Sequence, residues 1–319
     1  MEIKKLHHPY DPSTIHTDDI VLILGFFDGV HRGHTEVIRR GVEIATEHDL
    51  KSVVMTFSRH PSLVYQKYHP TRHAYLTTKK RKARLIERLG VDILYDAEFT
   101  SEFGALAPKD FVEQYMVDWN AKFVVAGFDY TYGKKAIANM EILPALADGR
   151  FEVVTVSKKV DEEGKISSTR IRELISQGDV SRASKLLGYY YGTSGYVIHG
   201  EARGRKLGYP TANIEPHPLV FIPETGIYAV KIKVGGKWYN GMASIGYNVT
   251  FGFRGKLSIE VHIFDFDKMI YGEDVTIKWI EYLRDEMKFD SADDLIKQLD
   301  KDQVISEQIL SNIDETMMF

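Results

Sequence analysis

Ile20-Val21-Leu22-Ile23-Leu24 runs directly into Gly25-Phe26-Phe27-Asp28-Gly29-Val30-His31-Arg32-Gly33-His34. Five consecutive aliphatic residues ending in glycine read as a strand buried on both faces, as in a parallel sheet. Beyond the loop, Val37, Ile38, Val42 and Ala45 recur at helical spacing, so the loop delivers His34 and Thr35 to a helix N-terminus. A strand, a glycine-bearing turn and a helix start, in that order, are the layout of a nucleotide site at the carboxyl end of a parallel strand. First-turn N–H groups and the helix dipole favour phosphate there. Gly29 and Gly33 permit close backbone approach, and two imidazoles three residues apart add side-chain donors. The stretch predicts a site for phosphoryl or nucleotidyl transfer.

Two competing readings are weaker. His31-x-x-His34 as half of a metal site lacks a third ligand at a suggestive spacing, and no H-E-x-x-H occurs. Gly127-x5-Gly133-Lys134-Lys135 also follows a strand pattern and looks like a phosphate loop. Its spacing is one residue too long, and Lys135 stands where Ser or Thr would bind magnesium.

Working outward, residues 20–187 alternate short apolar strands with amphipathic helices. Strands are expected at Ile20–Phe26, Ser52–Phe57, Val91–Leu94, Lys122–Ala126 and Phe151–Val156, and helices at 34–48, 79–89, 108–118 and 140–147. The 79–89 helix is expected to pack through Ala83, Ile86 and Leu89, and the 108–118 helix through Phe111, Val112, Tyr115 and Met116. This rhythm implies βαβ units and a Rossmann-like α/β domain. Near its end, Lys165-Ile166-Ser167-Ser168-Thr169-Arg170-Ile171-Arg172 opens a further helix. One hydroxyl suffices to cap a helix. Three in a row flanked by cations favour a second phosphate clamp made of Ser168, Thr169 and Arg172.

The rhythm changes after Gly188-Tyr189-Tyr190-Tyr191-Gly192, where the domain boundary is placed: 1–187 and 188–319. From there to about Arg284 only short alternating strands follow, two of them joined by Gly235-Gly236 as a two-residue hairpin turn. That pattern predicts a small closed β-barrel, followed by a C-terminal helix starting at Ser291 with Leu295, Ile296 and Leu299 on its packed side. The barrel half has its own polar constellation. Three glycines, Gly200, Gly204 and Gly208, and the cations Arg203, Arg205 and Lys206 share one loop, a combination that can wrap phosphates. Thr211 and Asn213 lie two apart on an extended segment, so their oxygens face one way and suit magnesium. Glu260 interrupts the apolar strand Leu257–Phe264 and shares a face with Ser258 and His262. A solvent-facing carboxylate and a general base are both compatible with that pattern.

Bulk properties narrow the class. A chain of 319 residues is long for one core, which agrees with two domains. The net charge of −4 supplies no basic field to recruit nucleic acid. With no cysteine, thiolate catalysis, Fe–S clusters and Cys-ligated zinc are excluded, and a cytoplasmic setting is expected. No signal peptide or membrane-length apolar run is present. No G-x-G-x-x-G follows the first strand, which disfavours a dinucleotide oxidoreductase.

Together these motifs resemble the prokaryotic bifunctional riboflavin kinase/FMN adenylyltransferase (FAD synthetase) family over nearly the whole chain. Residues 25–34 resemble its His-x-Gly-His signature, 166–172 its Ile-Ser-Ser-Thr-x-x-Arg signature, and 208–214 its Gly-x-Pro-Thr-Ala-Asn run, while Glu260 aligns with its catalytic glutamate. The resemblance implies phosphorylation of riboflavin to FMN with release of ADP, then adenylylation of FMN to FAD with release of pyrophosphate, ATP and Mg²⁺ serving both. It implies catalytic roles for Glu260, His31 and His34. It implies ATP or phosphate contacts from Gly25, Phe26, Asp28, Gly29, Gly33, Ser168, Thr169, Arg172, Gly200, Gly204, Arg205 and Gly208. It further implies flavin contacts from Asp129 and Phe57, and Mg²⁺ held by Thr211 and Asn213. Phe57-Ser58-Arg59-His60-Pro61 departs from the family's Phe-Asp-Pro-His-Pro, so a kinase with a weak or inactive N-terminal domain stands as the alternative. No membrane or nucleic-acid partner is expected, and the oligomeric state is open.

Overall fold

Strands β1 (Glu2–Leu6), β2 (Ile20–Leu24), β3 (Lys51–Phe57), β4 (Ile93–Ala97), β5 (Ala121–Gly127) and β6 (Glu152–Val156) pair in parallel in the order β1-β4-β3-β2-β5-β6. They belong to a computed structural model that describes every residue except 70–72, 201–203, 205–206, 248–254 and 256. The chain divides into two compact units, Met1–Ser168 and Thr169–Phe319. All five residues of β2 are buried, as a central parallel strand requires. After β2 the chain winds towards β3 and β4, whereas β5 and β6 lie on the other side. The loops after β2 and β5 therefore flank the point where strand order reverses, the usual ligand crevice of such a sheet.

Helices α1 (Arg32–Glu47), α2 (Ser62–Tyr65), α3 (Lys79–Glu87), α4 (Ser101–Gly104), α5 (Pro108–Val112) and α6 (Leu143–Ala147) connect these strands. A wider π-type turn over Glu113–Val117 continues α5. Phe111, Val112, Tyr115 and Met116 are buried as expected, around Trp119, whose ring lies 4.7 Å from that of Tyr95. Two readings need correction. Strand β1 went unread because Glu-Ile-Lys-Lys-Leu buries only Leu6 and pairs at the sheet edge, where charge discourages further strand pairing. The buried face of α3 is Lys82, Leu85 and Ile86, not Ala83, Ile86 and Leu89.

The second unit opens with α7 (Ser168–Ser176), whose first residue closes the first unit, and α8 (Val180–Leu187). Beyond the small hairpin of β7 (Val160–Asp161) and β8 (Gly164–Lys165) in the first unit, six strands close a barrel. They are β9 (Gly192–Ile198), β10 (Ala212–Pro216), β11 (Gly226–Val234), β12 (Lys237–Tyr247), β13 (Leu257–Ile263) and β14 (Asp274–Arg284), in the order β10-β13-β12-β11-β14-β9. Its antiparallel ladders place Val230, Ile245, Ile259, Val261, Ile277 and Trp279 inside, and the buried indole N–H of Trp279 donates to Thr193 Oγ1 at 2.9 Å. Gly235 (φ 54°) and Gly236 (φ 86°) both take left-handed conformations, the pair a two-residue hairpin needs. Helix α9 (Ala292–Leu310), capped by Ser291, covers β11 and β12 from outside. Leu295, Ile296 and Leu299 are half-buried, and the fully buried positions are Asp302, Ser306 and Leu310. Asp302 is paired there with Arg284, at 2.6 Å. Among the described residues no helix is long and apolar enough to cross a membrane.

Candidate active sites

In the first unit the loop after β2 turns sharply. Phe27 (φ 52°), Gly29 (φ 81°) and Val30 (φ 37°) all adopt positive φ, a conformation that a β-branched residue such as Val30 rarely takes. Such conformers persist only where the surroundings hold them. Leu76 N–H and Thr77 N–H donate to the Asp28 carboxylate at 3.1 and 3.2 Å, and Gly29 N–H donates to Thr77 Oγ1 at 3.1 Å. Gly25 packs so tightly under the Phe27 ring that a Cβ there would lie 2.5 Å from it. The Asp28 carboxylate is thus engaged within the protein. Its carboxylate turns inward, 3% exposed, and anchors the loop. A carboxylate facing a triphosphate would repel it.

His31 is the N-cap of α1, and its Nδ1 accepts from His34 N–H at 3.2 Å. An accepting Nδ1 places the imidazole proton on Nε2, which leaves that N–H as a donor. The His31 and His34 rings stack at 3.6 Å and 17°. Burial pulls the His31 pKa down to about 4, and burial followed by His31, Lys82 and Lys165 pulls His34 well below the ordinary imidazole range. Both rings are therefore neutral hydrogen-bonding groups near pH 7. His34 Nδ1 is buried without a hydrogen-bond partner among the described residues, which suits a site awaiting a polar ligand. A Cβ on Gly33 would press on the His31 ring at 3.2 Å.

Other expected residues divide. Ser168 Oγ donates to the Asp28 carbonyl at 2.9 Å, joining the start of α7 to the loop. Thr169 and Arg172 follow on α7 and belong to the second unit. Asp129, just beyond β5 at the reversal point, forms an ion pair with Lys165, whose Nζ lies 4.8 Å from the Phe128 ring centroid. The half-buried Phe26 ring meets His60 edge-on at 4.8 Å. Phe57 is 7% exposed and packs against Phe99 and Phe103 at 5.2 and 5.4 Å, so its side chain is core rather than ligand surface. Thr77 and Lys82 escaped the sequence reading. The available signal for Lys82 was its position on the apolar stripe of α3, four residues before Ile86.

In the second unit the ladder brings three expected residues together. Asn213 on β10 stands directly opposite Glu260 on β13, and Thr211 Oγ1 donates to Glu260 Oε2 at 3.0 Å. Ile259 and Val261 point into the barrel, so Glu260 lies on its outer face, half-buried, with Ser244 of β12 opposite on the other side. Next along that face, His262 Nδ1 hydrogen-bonds the Pro210 carbonyl oxygen at 2.8 Å, and Tyr209 reaches Asp300 of α9. Leu207 and Tyr209 N–H groups donate to Gly204 O at 3.0 and 2.9 Å, and Gly208 turns the chain at φ 83°. A Cβ on Gly200 would overlap the Asn213 side chain at 2.2 Å. Arg205 lies outside the described residues.

Comparison with known proteins covers both units. The FAD synthetase family model matches residues 13–170 and the riboflavin kinase model residues 187–310. The bifunctional riboflavin kinase/FMN adenylyltransferase of Listeria monocytogenes is 48% identical over 93% of this chain and 95% of its own. That of Bacillus subtilis is 40% identical over 98% and 99%. A crystal structure described as a macrolide-efflux protein from Streptococcus pneumoniae is 38% identical, with a TM-score of 0.89 over 98% of this chain and 100% of that one. The stacked histidines at the sheet's reversal point, the Thr211–Glu260–Asn213 group on the barrel and full-length relatives carrying both domains lead to one assignment: the chain belongs to the bifunctional riboflavin kinase/FMN adenylyltransferase family.

Proposed function

We propose that the chain makes FAD in two steps, phosphorylating riboflavin on the barrel unit and adenylylating the resulting FMN on the parallel-sheet unit. The observation that carries the reading is that each unit holds its own polar cluster: Glu260 with Thr211 and Asn213 in one, and the stacked His31 and His34 at the α1 N-terminus in the other. The family match spans both units, which favours two activities over a kinase with an inactive partner.

In the kinase step the primary alcohol oxygen of riboflavin attacks the γ-phosphorus of ATP. An O–P bond forms, the bond to ADP breaks, and Glu260 accepts the alcohol proton. The hydrogen bond from Thr211 fixes the orientation of that carboxylate. Thr211 and Asn213 offer neutral oxygens beside it, a donor set that fits a hard cation, so these two residues would hold Mg²⁺. When bound, the cation neutralises charge on the ATP phosphates. Gly200, Gly204, Arg205 and Gly208 belong to the segment that covers them.

In the adenylyl step a phosphate oxygen of FMN attacks the α-phosphorus of a second ATP and pyrophosphate departs. This nucleophile is already anionic, so no base is required. The neutral His31 and His34 act as donors to the developing charge, with the α1 amides around Gly33 and with Ser168. Asp129 faces the flavin. Purified protein supplied with riboflavin, ATP and Mg²⁺ should yield FMN and then FAD, resolved by chromatography. FMN alone would leave the kinase and remove the adenylyltransferase, and neither product would overturn the reading.

A further inference from the structure

Lys82 is a charged side chain inside the first unit, only 7% exposed, and it points to the loop rather than to solvent. Its Nζ donates to Phe26 O at 3.1 Å, Thr56 Oγ1 at 3.0 Å and Phe57 O at 2.9 Å. Those are the three donors an ammonium possesses, so none is left for a phosphate. Thr56 Oγ1 in turn donates to Phe26 O at 2.8 Å. Lysine and threonine thus draw in the same carbonyl, one residue before the backbone enters its run of positive φ at Phe27, Gly29 and Val30. Burying an ammonium in this way is costly unless it is hydrogen-bonded and countered by opposite charge. Thirty residues separate Phe26 from Thr56, so this tie joins strand ends far apart in the sequence.

We propose that Lys82 is the positioning residue of the adenylyltransferase site: by tying the carboxyl ends of β2 and β3 together, its ammonium holds the 25–31 loop in the shape that presents His31 and His34 to ATP. The inference rests on the adenylyltransferase reading of this unit. The tie uses all three protons, and a neutral amine, with two N–H groups, gives up one of the three hydrogen bonds. The groups that set its charge are Asp28 on the loop, Asp96 on β4, His34 on α1 and Lys79 on its own helix. Lys5 on β1 acts on Asp96 in turn. Asp28 and Asp96 favour the charged form. Burial opposes it more strongly and lowers the Lys82 pKa to about 8. Asp96 Oδ1 is buried with no hydrogen-bond partner among the described residues, so this carboxylate meets Lys82 through charge alone. FAD formation should therefore fall as pH rises through about 8, while FMN formation by the same chain does not follow that limb.

The test measures FMN adenylylation and riboflavin phosphorylation separately between pH 6 and 10, in the full chain and in Lys82→Met and Asp96→Asn variants. FAD formation by the unaltered chain establishes the underlying reading first, and its absence would overturn that reading rather than this inference alone. Lys82→Met should lower kcat for adenylylation by about tenfold to a hundredfold, lose the alkaline limb and leave phosphorylation within twofold. Asp96→Asn, which keeps shape and removes one countercharge, should move the alkaline limb to lower pH by about one unit. If Lys82→Met unfolds the first unit, the Asp96→Asn displacement decides the matter. An adenylylation limb that stays in place in Asp96→Asn, or a Lys82→Met chain that adenylylates FMN within twofold of the unaltered chain, would overturn the proposal.

Discussion

At the scale of single residues, the two sites differ in what protonation does for them. His31 is held neutral, so its contribution is a fixed donor rather than a titrating acid. His31→Ala should reduce FAD formation from FMN by about 10²–10³, the usual loss on removing one preorganised donor to a transition-state oxyanion, and leave FMN formation intact. Equal loss of both activities would instead make His31 a residue of the fold. The depressed pKa also carries a stability consequence. An unfolded imidazole takes a proton near 6.5, whereas folded His31 resists until about 4, so the folded first unit is favoured above 6.5 and loses stability as pH falls between those values. Thermal denaturation from pH 7.5 to 4.5 should show that slope, reduced in His31→Ala. Glu260 is the opposite case in the proposed kinase step, where it would accept the alcohol proton. Glu260→Gln keeps size and the Thr211 contact but should lower kinase turnover by about 10²–10⁴, with no rescue by excess Mg²⁺. Thr211→Val should weaken Mg²⁺-dependent ATP binding, and excess Mg²⁺ should partly rescue it. Equal rescue of both would make Glu260 a metal-shell residue.

Among elements, the close approach of Gly200 to Asn213 links the end of β9 to β10. Gly200→Ala would put a methyl group into the Asn213 amide, which must swing away because it is the mobile partner. The expected result is a raised KM for MgATP in the kinase reaction with FAD synthesis from supplied FMN unchanged, checked by steady-state kinetics. An unchanged KM would show that the amide has room to move. The strands and helices that carry these residues were legible wherever burial imposed a period. The β2 run, the α5 stripe and the Gly235-Gly236 hairpin all stand where their patterns placed them. Legibility failed where one side chain contradicted its element. Strand β1 is polar because it lies at an edge, and Lys82 is charged on a buried face because carbonyls at two strand ends receive it. The resemblance pointed to Asp28 and Phe57 as ligand contacts, whereas the direction of their side chains depends on distant partners at 76–77 and at Phe99 and Phe103.

For the whole molecule, the change of rhythm at 188 and the division of packing at Ser168 are separate facts. Helices α7 and α8 continue the strand–helix alternation of the first half, yet they pack with the barrel. Val180, Ala183, Leu186 and Leu187 are buried, Tyr191 N–H donates to Ser184 Oγ at 3.0 Å, and Glu224 N–H donates to Ile175 O at 3.2 Å. A fragment of residues 169–319 should therefore fold and phosphorylate riboflavin. One beginning at Gly188 should melt at a lower temperature or precipitate, because it uncovers the β14 surface that α8 occupies. Calorimetry with an FMN assay on the two fragments checks this, and equal stability would return the boundary to 188.

The tryptophans carry a practical consequence of this division. Of the three in the chain, Trp119 lies in the core of the parallel-sheet unit and Trp279 inside the barrel, both fully buried, while Trp238 sits half-buried with Lys233 Nζ 5.8 Å from its ring centroid. Intrinsic fluorescence therefore labels each unit with its own lamp. With Trp238 and one core indole replaced by phenylalanine, the remaining emission reports on a single unit, and an isoalloxazine ring settling nearby dims that lamp by energy transfer. The passage of a newly made flavin from one unit to the other becomes a change in which colourless core goes dark first.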